Sequence, residues 1–144
     1  MKKALGIDLG AARVGLALSD DLGMLAHPLE TVRVKGAGDL AAYVAAVVRR
    51  EKVEVVVIGL PRNMDGSHGP AAAKTREFGE KLRAKAPGCE VRYWDERFTS
   101  VAAQKALHEM GRNAKNSRQV IDQVAAQMIL QGYLDSQALR IPEA

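Results

Sequence analysis

Residues 55–58 read Val-Val-Val-Ile, an unbroken apolar run between Glu54 and Gly59. A strand with one wet face alternates apolar and polar residues. A strand apolar at every position is buried on both faces. Such a strand belongs in the centre of a sheet that helices cover. The flanking segments supply those helices. Gly38-Asp39 opens a helical pattern that runs to about Lys52, with Leu40, Tyr43, Val44, Val47 and Val48 on one side. Pro70 suits the first turn of a second helix, which runs to about Ala86, where Pro87-Gly88 ends it.

The rest of the chain extends the sheet. Residues 4–10 read as a buried strand. Residues 13–20 follow, with Val14, Leu16 and Leu18 alternating against Gly15, Ala17 and Ser19. The short Gly10-Ala11-Ala12 link makes these two an antiparallel hairpin. A third strand is expected near 29–34, after Pro28, and a fifth from Glu90 to Asp95. Thr99 can N-cap a helix that Gly111 closes. Asn116 with Gln119 resembles a capping box, and the last helix runs to about Ser136. The expected class is α/β. Three antiparallel strands are followed by alternating helix and strand, giving a five-stranded mixed sheet flanked by helices.

At 144 residues the chain is expected to form one domain, 1–144. Its single cysteine, Cys89, excludes an internal disulfide and fits a reducing cytosol. Met1-Lys2-Lys3 leads straight into the first strand, without the longer apolar stretch of a signal peptide. No run approaches the ~18 apolar residues of a membrane span, so a cytoplasmic protein with no membrane partner is expected. The net charge is +4, and the window from Arg97 to Arg118 alone carries that excess. Its basic residues are Arg97, Lys105, Arg112, Lys115 and Arg118, against one acid, Glu109. A concentrated basic segment suits a polyanion.

Three acidic positions stand out. Asp8 lies inside an apolar strand, where an unpaired carboxylate is costly. It sits in Asp8-x-Gly10-x-x-x-x-Gly15, where glycines let a phosphate or metal approach the backbone. The alternative is an Asp that caps the Gly10-Ala11-Ala12 turn. Asp95 and Glu96 are adjacent, so on a strand they face opposite sides and at most one points at Asp8. Tyr93 and Trp94 are both apolar, so alternation does not choose between them. Asp122 falls early in the last helix, where the helix dipole alone would favour it. Ala125, Ala126 and Ile129 follow on the same stripe, so Asp122 borders the buried face. Carboxylates that converge raise one another's pKa unless a cation lies between them. A divalent metal removes that cost and supplies a Lewis acid for phosphodiester hydrolysis.

The loop Pro61–Gly69 is polar and glycine-bearing. Arg62, Asn63 and Ser67 could hold phosphate oxygens beside the following helix N-terminus. His27, His68 and His108 lack metal-ligand spacing, and Cys89 reads as a packing residue rather than a nucleophile.

Taken in order, several stretches resemble the YqgF family, also called RuvX-like. They are Gly6-Ile7-Asp8-Leu9-Gly10, Val14-Gly15-Leu16-Ala17-Leu18-Ser19-Asp20, Ile58-Gly59-Leu60-Pro61-Arg62-Asn63-Met64-Asp65-Gly66-Ser67 and Asp95-Glu96-Arg97-Phe98-Thr99. Ile121-Asp122, Ala125-Ala126 and Ile129-Leu130-Gln131 complete the match, which covers nearly the whole chain. That family is described as pre-16S rRNA nucleases, formerly as Holliday junction resolvases. The resemblance implies a ribonuclease H-like fold. It also implies that Glu96, rather than Asp95, joins Asp8 and Asp122 in the catalytic, metal-binding set. Many proteins of the wider fold carry a carboxylate just after the fourth strand. Here that place reads Gly59-Leu60-Pro61, as it does in the YqgF pattern.

The expected activity is a Mg²⁺- or Mn²⁺-dependent endonuclease acting on structured RNA, trimming the 5′ end of pre-16S rRNA, free or on the ribosome. Arg62, Asn63, Ser67, Arg97, Thr99, Arg112, Lys115 and Arg118 are the expected nucleic-acid contacts. A monomer, or at most a weak dimer, is expected. Three rivals share features. A Holliday junction resolvase acting on branched DNA would need a two-fold dimer. A transcription or ribosome-assembly factor would bind nucleic acid with weak catalysis. Asp8-x-Gly10-x-x-x-x-Gly15 also resembles the phosphate loop of actin-like kinases, but these need a second domain for which 144 residues leave no room.

Overall fold

The computed structural model describes residues 2–61, 69–96 and 117–138. Five strands form one mixed sheet: β1 (Ala4–Leu9), β2 (Arg13–Ser19), β3 (Ala26–Arg33), β4 (Val55–Leu60) and β5 (Glu90–Asp95). Among the described residues three α-helices accompany it: α1 (Leu40–Glu51), α2 (Pro70–Lys85) and α3 (Ser117–Ala138). The strand order is β3-β2-β1-β4-β5. β1 pairs antiparallel with β2, and β2 with β3. β1 pairs parallel with β4, and β4 with β5. The expected helix from Thr99 to Gly111 and the Asn116 cap lie outside the described residues.

The run Val55–Ile58 is buried at every position, as its composition requires. Val56 and Ile58 join Leu5, Ile7, Val14 and Leu16 in a core under α1 and α2. Val44, Val47, Val48, Phe78 and Leu82 are the helical half of that core. Burying each such side chain contributes about 1.5–3 kcal/mol. Asp39 caps α1 by accepting from the Ala42 amide at 3.2 Å. Lys52 closes α1 in the left-handed region, at φ 56°.

The opposite face of the sheet is built from small residues. Ala4, Ala17, Val55 and Val57 meet Ala126, Ile129, Leu130 and Leu134 of α3. Gly15 explains how close the helix comes. A Cβ at residue 15 would fall on the backbone carbonyl of Asp122. The α3 backbone therefore rests on the β2 backbone with no side-chain layer between them.

The third strand corrects the sequence expectation. It starts at Ala26, not near Leu29, and it contains Pro28. β3 is an edge strand, and its register slips where Leu16 pairs with Glu30 and Ala17 with Pro28. A bulge on an edge is where a strand tolerates a residue without an N–H.

Candidate active site

The parallel strands β1, β4 and β5 end on one edge of the sheet. β2 starts there, and β3 ends there. In sheets of this kind that edge is where ligands bind. Asp8 sits on it, near the end of β1 and opposite Gly15. By alternation Asp8 shares a face with Ala4 and Gly6, the face covered by α3.

Glu96 follows β5 directly. A Cβ built on Gly59 would stand 2.8 Å from Glu96 Oε1, so the Glu96 side chain lies over Gly59 on the α3 face. Trp94 shares that face: it lies against Gly132 and meets Tyr133 edge to face at 6.4 Å between ring centroids. Tyr93 packs on the other side, against the α1–α2 core. Asp95 has the parity of Tyr93. The geometry thus puts Glu96, and not Asp95, on the face of Asp8.

Asp122 lies in the second turn of α3, directly above Gly15. Its Oδ2 accepts a hydrogen bond from Arg13 Nε at 2.8 Å, with both side chains largely buried. Nothing in the local sequence announces this pair, which joins residues 109 apart. Parity offers the one available signal: Arg13 is on the face of Gly15 and Ala17.

Electrostatics link the three acids. Burial, followed by the charges of Glu96 and Asp122, pushes the Asp8 carboxyl up to about 7. Burial, followed by the charge of Asp95, also raises Glu96. Among the described residues the Asp8 carboxylate has no cationic partner. The chemistry of these donors, oxygen only, is that of a hard divalent cation. As they stand, no three His, Cys, Asp or Glu side chains among the described residues are drawn close enough to hold an ion.

Residues 2–136 match the sequence model of a family described as "RuvX: Holliday junction resolvase". The chain belongs to this family. A relative from Halalkalibacterium halodurans is 44% identical over 140 residues, which cover 96% of this chain and 99% of the relative. One from Moorella thermoacetica is 50% identical over 134 residues, covering 92% and 94%. Both bear the name "Putative pre-16S rRNA nuclease". Among solved structures, T. thermophilus RuvC in complex with Holliday junction substrate aligns with a TM-score of 0.62 at 16% identity, covering 95% of this chain and 96% of that one. The Fowlpox virus resolvase bound to Holliday junction DNA aligns at 0.58 and 11% identity, covering 96% and 99%. At such identities the likeness speaks for the fold, which is ribonuclease H-like. The YqgF resemblance and the fold expected from it are both borne out.

Arg62, Asn63, Ser67, Arg97, Thr99, Arg112 and Lys115 lie outside the described residues. Arg118 falls in the first turn of α3, with its side chain outside the description. Cys89 is buried and burial raises its thiol pKa, in keeping with a packing role. His27 is exposed, while His68 and His108 lie outside the described residues. Among those residues, no helix is long and apolar enough to cross a membrane.

Proposed function

We propose that this RuvX-family chain is a cytoplasmic endonuclease that uses Mg²⁺ or Mn²⁺ to trim the 5′ end of pre-16S rRNA, working as one domain and as a monomer. Family membership makes it a phosphodiester hydrolase. The observation that carries the catalytic assignment is Asp8, pushed up to about 7 at the sheet edge by burial and by two further carboxylates. Asp8, Glu96 and Asp122 would hold the ion. When bound, it supplies a Lewis acid and lowers the pKa of attached water. Arg13 fixes one oxygen of Asp122. Gly59 leaves the space in which Glu96 reaches towards β1. Arg62, Asn63, Ser67, Arg97, Thr99, Arg112, Lys115 and Arg118 would contact the substrate, mostly at its phosphates.

The pre-rRNA substrate is supported by the names of the relatives at 44% and 50% identity. A second reading, a resolvase of branched DNA, is favoured by the description of the family itself. Two assays separate them. Purified protein is incubated with matched pre-rRNA ends and four-way DNA junctions, with Mn²⁺ or with EDTA, and its mass is measured by sedimentation. The expected result is Mn²⁺-dependent cleavage of the RNA end by a monomer. Symmetric paired nicks in the junction, made by a tight dimer, would establish the resolvase instead.

A further inference from the structure

β2 and β3 place Arg13 directly opposite Arg33. Directly opposed residues of an antiparallel pair share one face, with Cβ atoms about 4.5–5.5 Å apart, and like charges there repel. The face is the one that α3 covers, because Gln123 of α3 donates to Thr31, two residues before Arg33, at 3.2 Å. The position is the sheet edge that carries Asp8. The strand order sets Arg33, Arg13, Asp8 and then Glu96 in sequence along that edge.

Asp122 answers only one of the two charges. It takes the Nε proton of Arg13, which leaves the terminal nitrogens of that guanidinium without another partner among the described residues. A guanidinium offers five N–H donors in a rigid fork, well matched to phosphate oxygens. Arg33 is exposed and has no ion pair among the described residues. Exposed Lys35 follows two residues later. Neither arginine contributes to the apolar core. The sheet edge thus keeps a repelling pair of cations on the strands next to Asp8, an arrangement that a polyanion crossing the edge would stabilise.

We propose that Arg13 and Arg33 hold phosphates of the bound nucleic-acid strand on the β2–β3 side of the acids, with Arg13 also positioning Asp122. This is the side away from β5, after which the basic Arg97–Arg118 window begins. The proposal rests on the nuclease reading above and names contacts which that reading lacks.

The test uses the full chain carrying Asp8→Asn, so that binding is read without cleavage. Affinity for a pre-rRNA 5′-end hairpin and for a four-way DNA junction is measured by fluorescence anisotropy across a KCl series. Arg13→Gln and Arg33→Gln should each weaken binding by about three- to tenfold at 0.1 M salt. Each should also flatten the slope of log affinity against log salt by about 0.7–0.9. Arg13→Lys and Arg33→Lys keep the charge and should keep the slope, while Arg13→Lys loses the fork and part of the affinity. Calorimetric titration with Mn²⁺ in the wild-type background should be unchanged by Arg33→Gln, because Arg33 makes no ion pair with a carboxylate among the described residues. Unchanged salt slopes in both Gln variants would overturn the proposal and leave Arg13 only a structural partner of Asp122. If Arg13→Gln fails to fold by circular dichroism, the Arg33→Gln slope and the Arg13→Lys affinity decide. Junction binding without RNA binding would sink the rRNA substrate, while the junction slopes still decide the arginines. Binding of neither probe would overturn both.

Discussion

Asp8→Asn should stabilise the metal-free protein at neutral pH while abolishing its activity. The Asp8 carboxyl is raised from 3.8 to about 7. It therefore holds its proton more tightly folded than unfolded. Its contribution to stability is complete below about pH 4 and is lost as pH rises through about 7. The shift spans about three units at 1.36 kcal/mol each, or roughly 4 kcal/mol over the full range. A scan from pH 5 to pH 8 crosses about two of those units, so roughly 2–3 kcal/mol should disappear. Asparagine carries no titrating proton and escapes this loss. The assay is urea unfolding in EDTA at pH 5, 6, 7 and 8. With a slope near 1–3 kcal/mol per molar urea, the wild-type midpoint should fall by about 1–2 M relative to Asp8→Asn. Taking the difference between the two proteins cancels the other titrating groups. Mn²⁺ should then recover the wild type at pH 8 far more than at pH 5, because an ion favours the ionised acid, and should do little for Asp8→Asn. Parallel curves for the two proteins from pH 5 to pH 8 would refute the reasoning. They would mean that Asp8 is ionised throughout, with its charge already compensated.

Glu96→Gln should lower turnover by at least ~100-fold, the scale of a lost metal contribution, while Asp95→Asn should not. Equal losses in a cleavage assay would mean that the two faces of β5 are wrongly assigned. Gly15→Ala forces a methyl onto the Asp122 carbonyl, so α3 must move; unfolding experiments should show a loss of about 3 kcal/mol, with activity falling alongside. Replacing Arg112, Lys115 and Arg118 by Ala should reduce the salt dependence of nucleic-acid affinity by about 2–3 units and leave Mn²⁺ binding intact. An unchanged slope would place the substrate elsewhere on the surface.

The sheet was legible because its signals are local. Val55–Ile58 is apolar at every step, Pro70 opens α2 at its first residue, and Asp39 caps α1 where the pattern put it. Pro28 misled because a proline looks like a strand boundary, and only the sheet order reveals an edge strand that bulges around it. Alternation was silent on Asp95 and Glu96 for a reason visible in the packing. Tyr93 serves the α1–α2 core and Trp94 covers Gly132 of α3, so both faces of β5 are apolar. The resemblance, not periodicity, picked Glu96. The Arg13–Asp122 pair spans 109 residues and leaves no short-range trace.

The absence of an acid at the end of β4 follows from the same geometry. A side chain at residue 59 would occupy the space that Glu96 and Ile129 fill. Glu96, from the edge strand β5, lies over β4 because residue 59 is glycine, and its charge is felt at Asp8 on β1. Asp122 gains its place in the same way, through Gly15. Each outer acid is therefore seated against a glycine, Glu96 over Gly59 of β4 and the Asp122 backbone over Gly15 of β2. A carboxylate on β4 would add a further negative charge beside Asp8, whose carboxyl is already raised by Glu96 and Asp122. The missing acid and the two glycines are one arrangement, in which the positions of the outer acids depend on backbone that has no Cβ to hold them off.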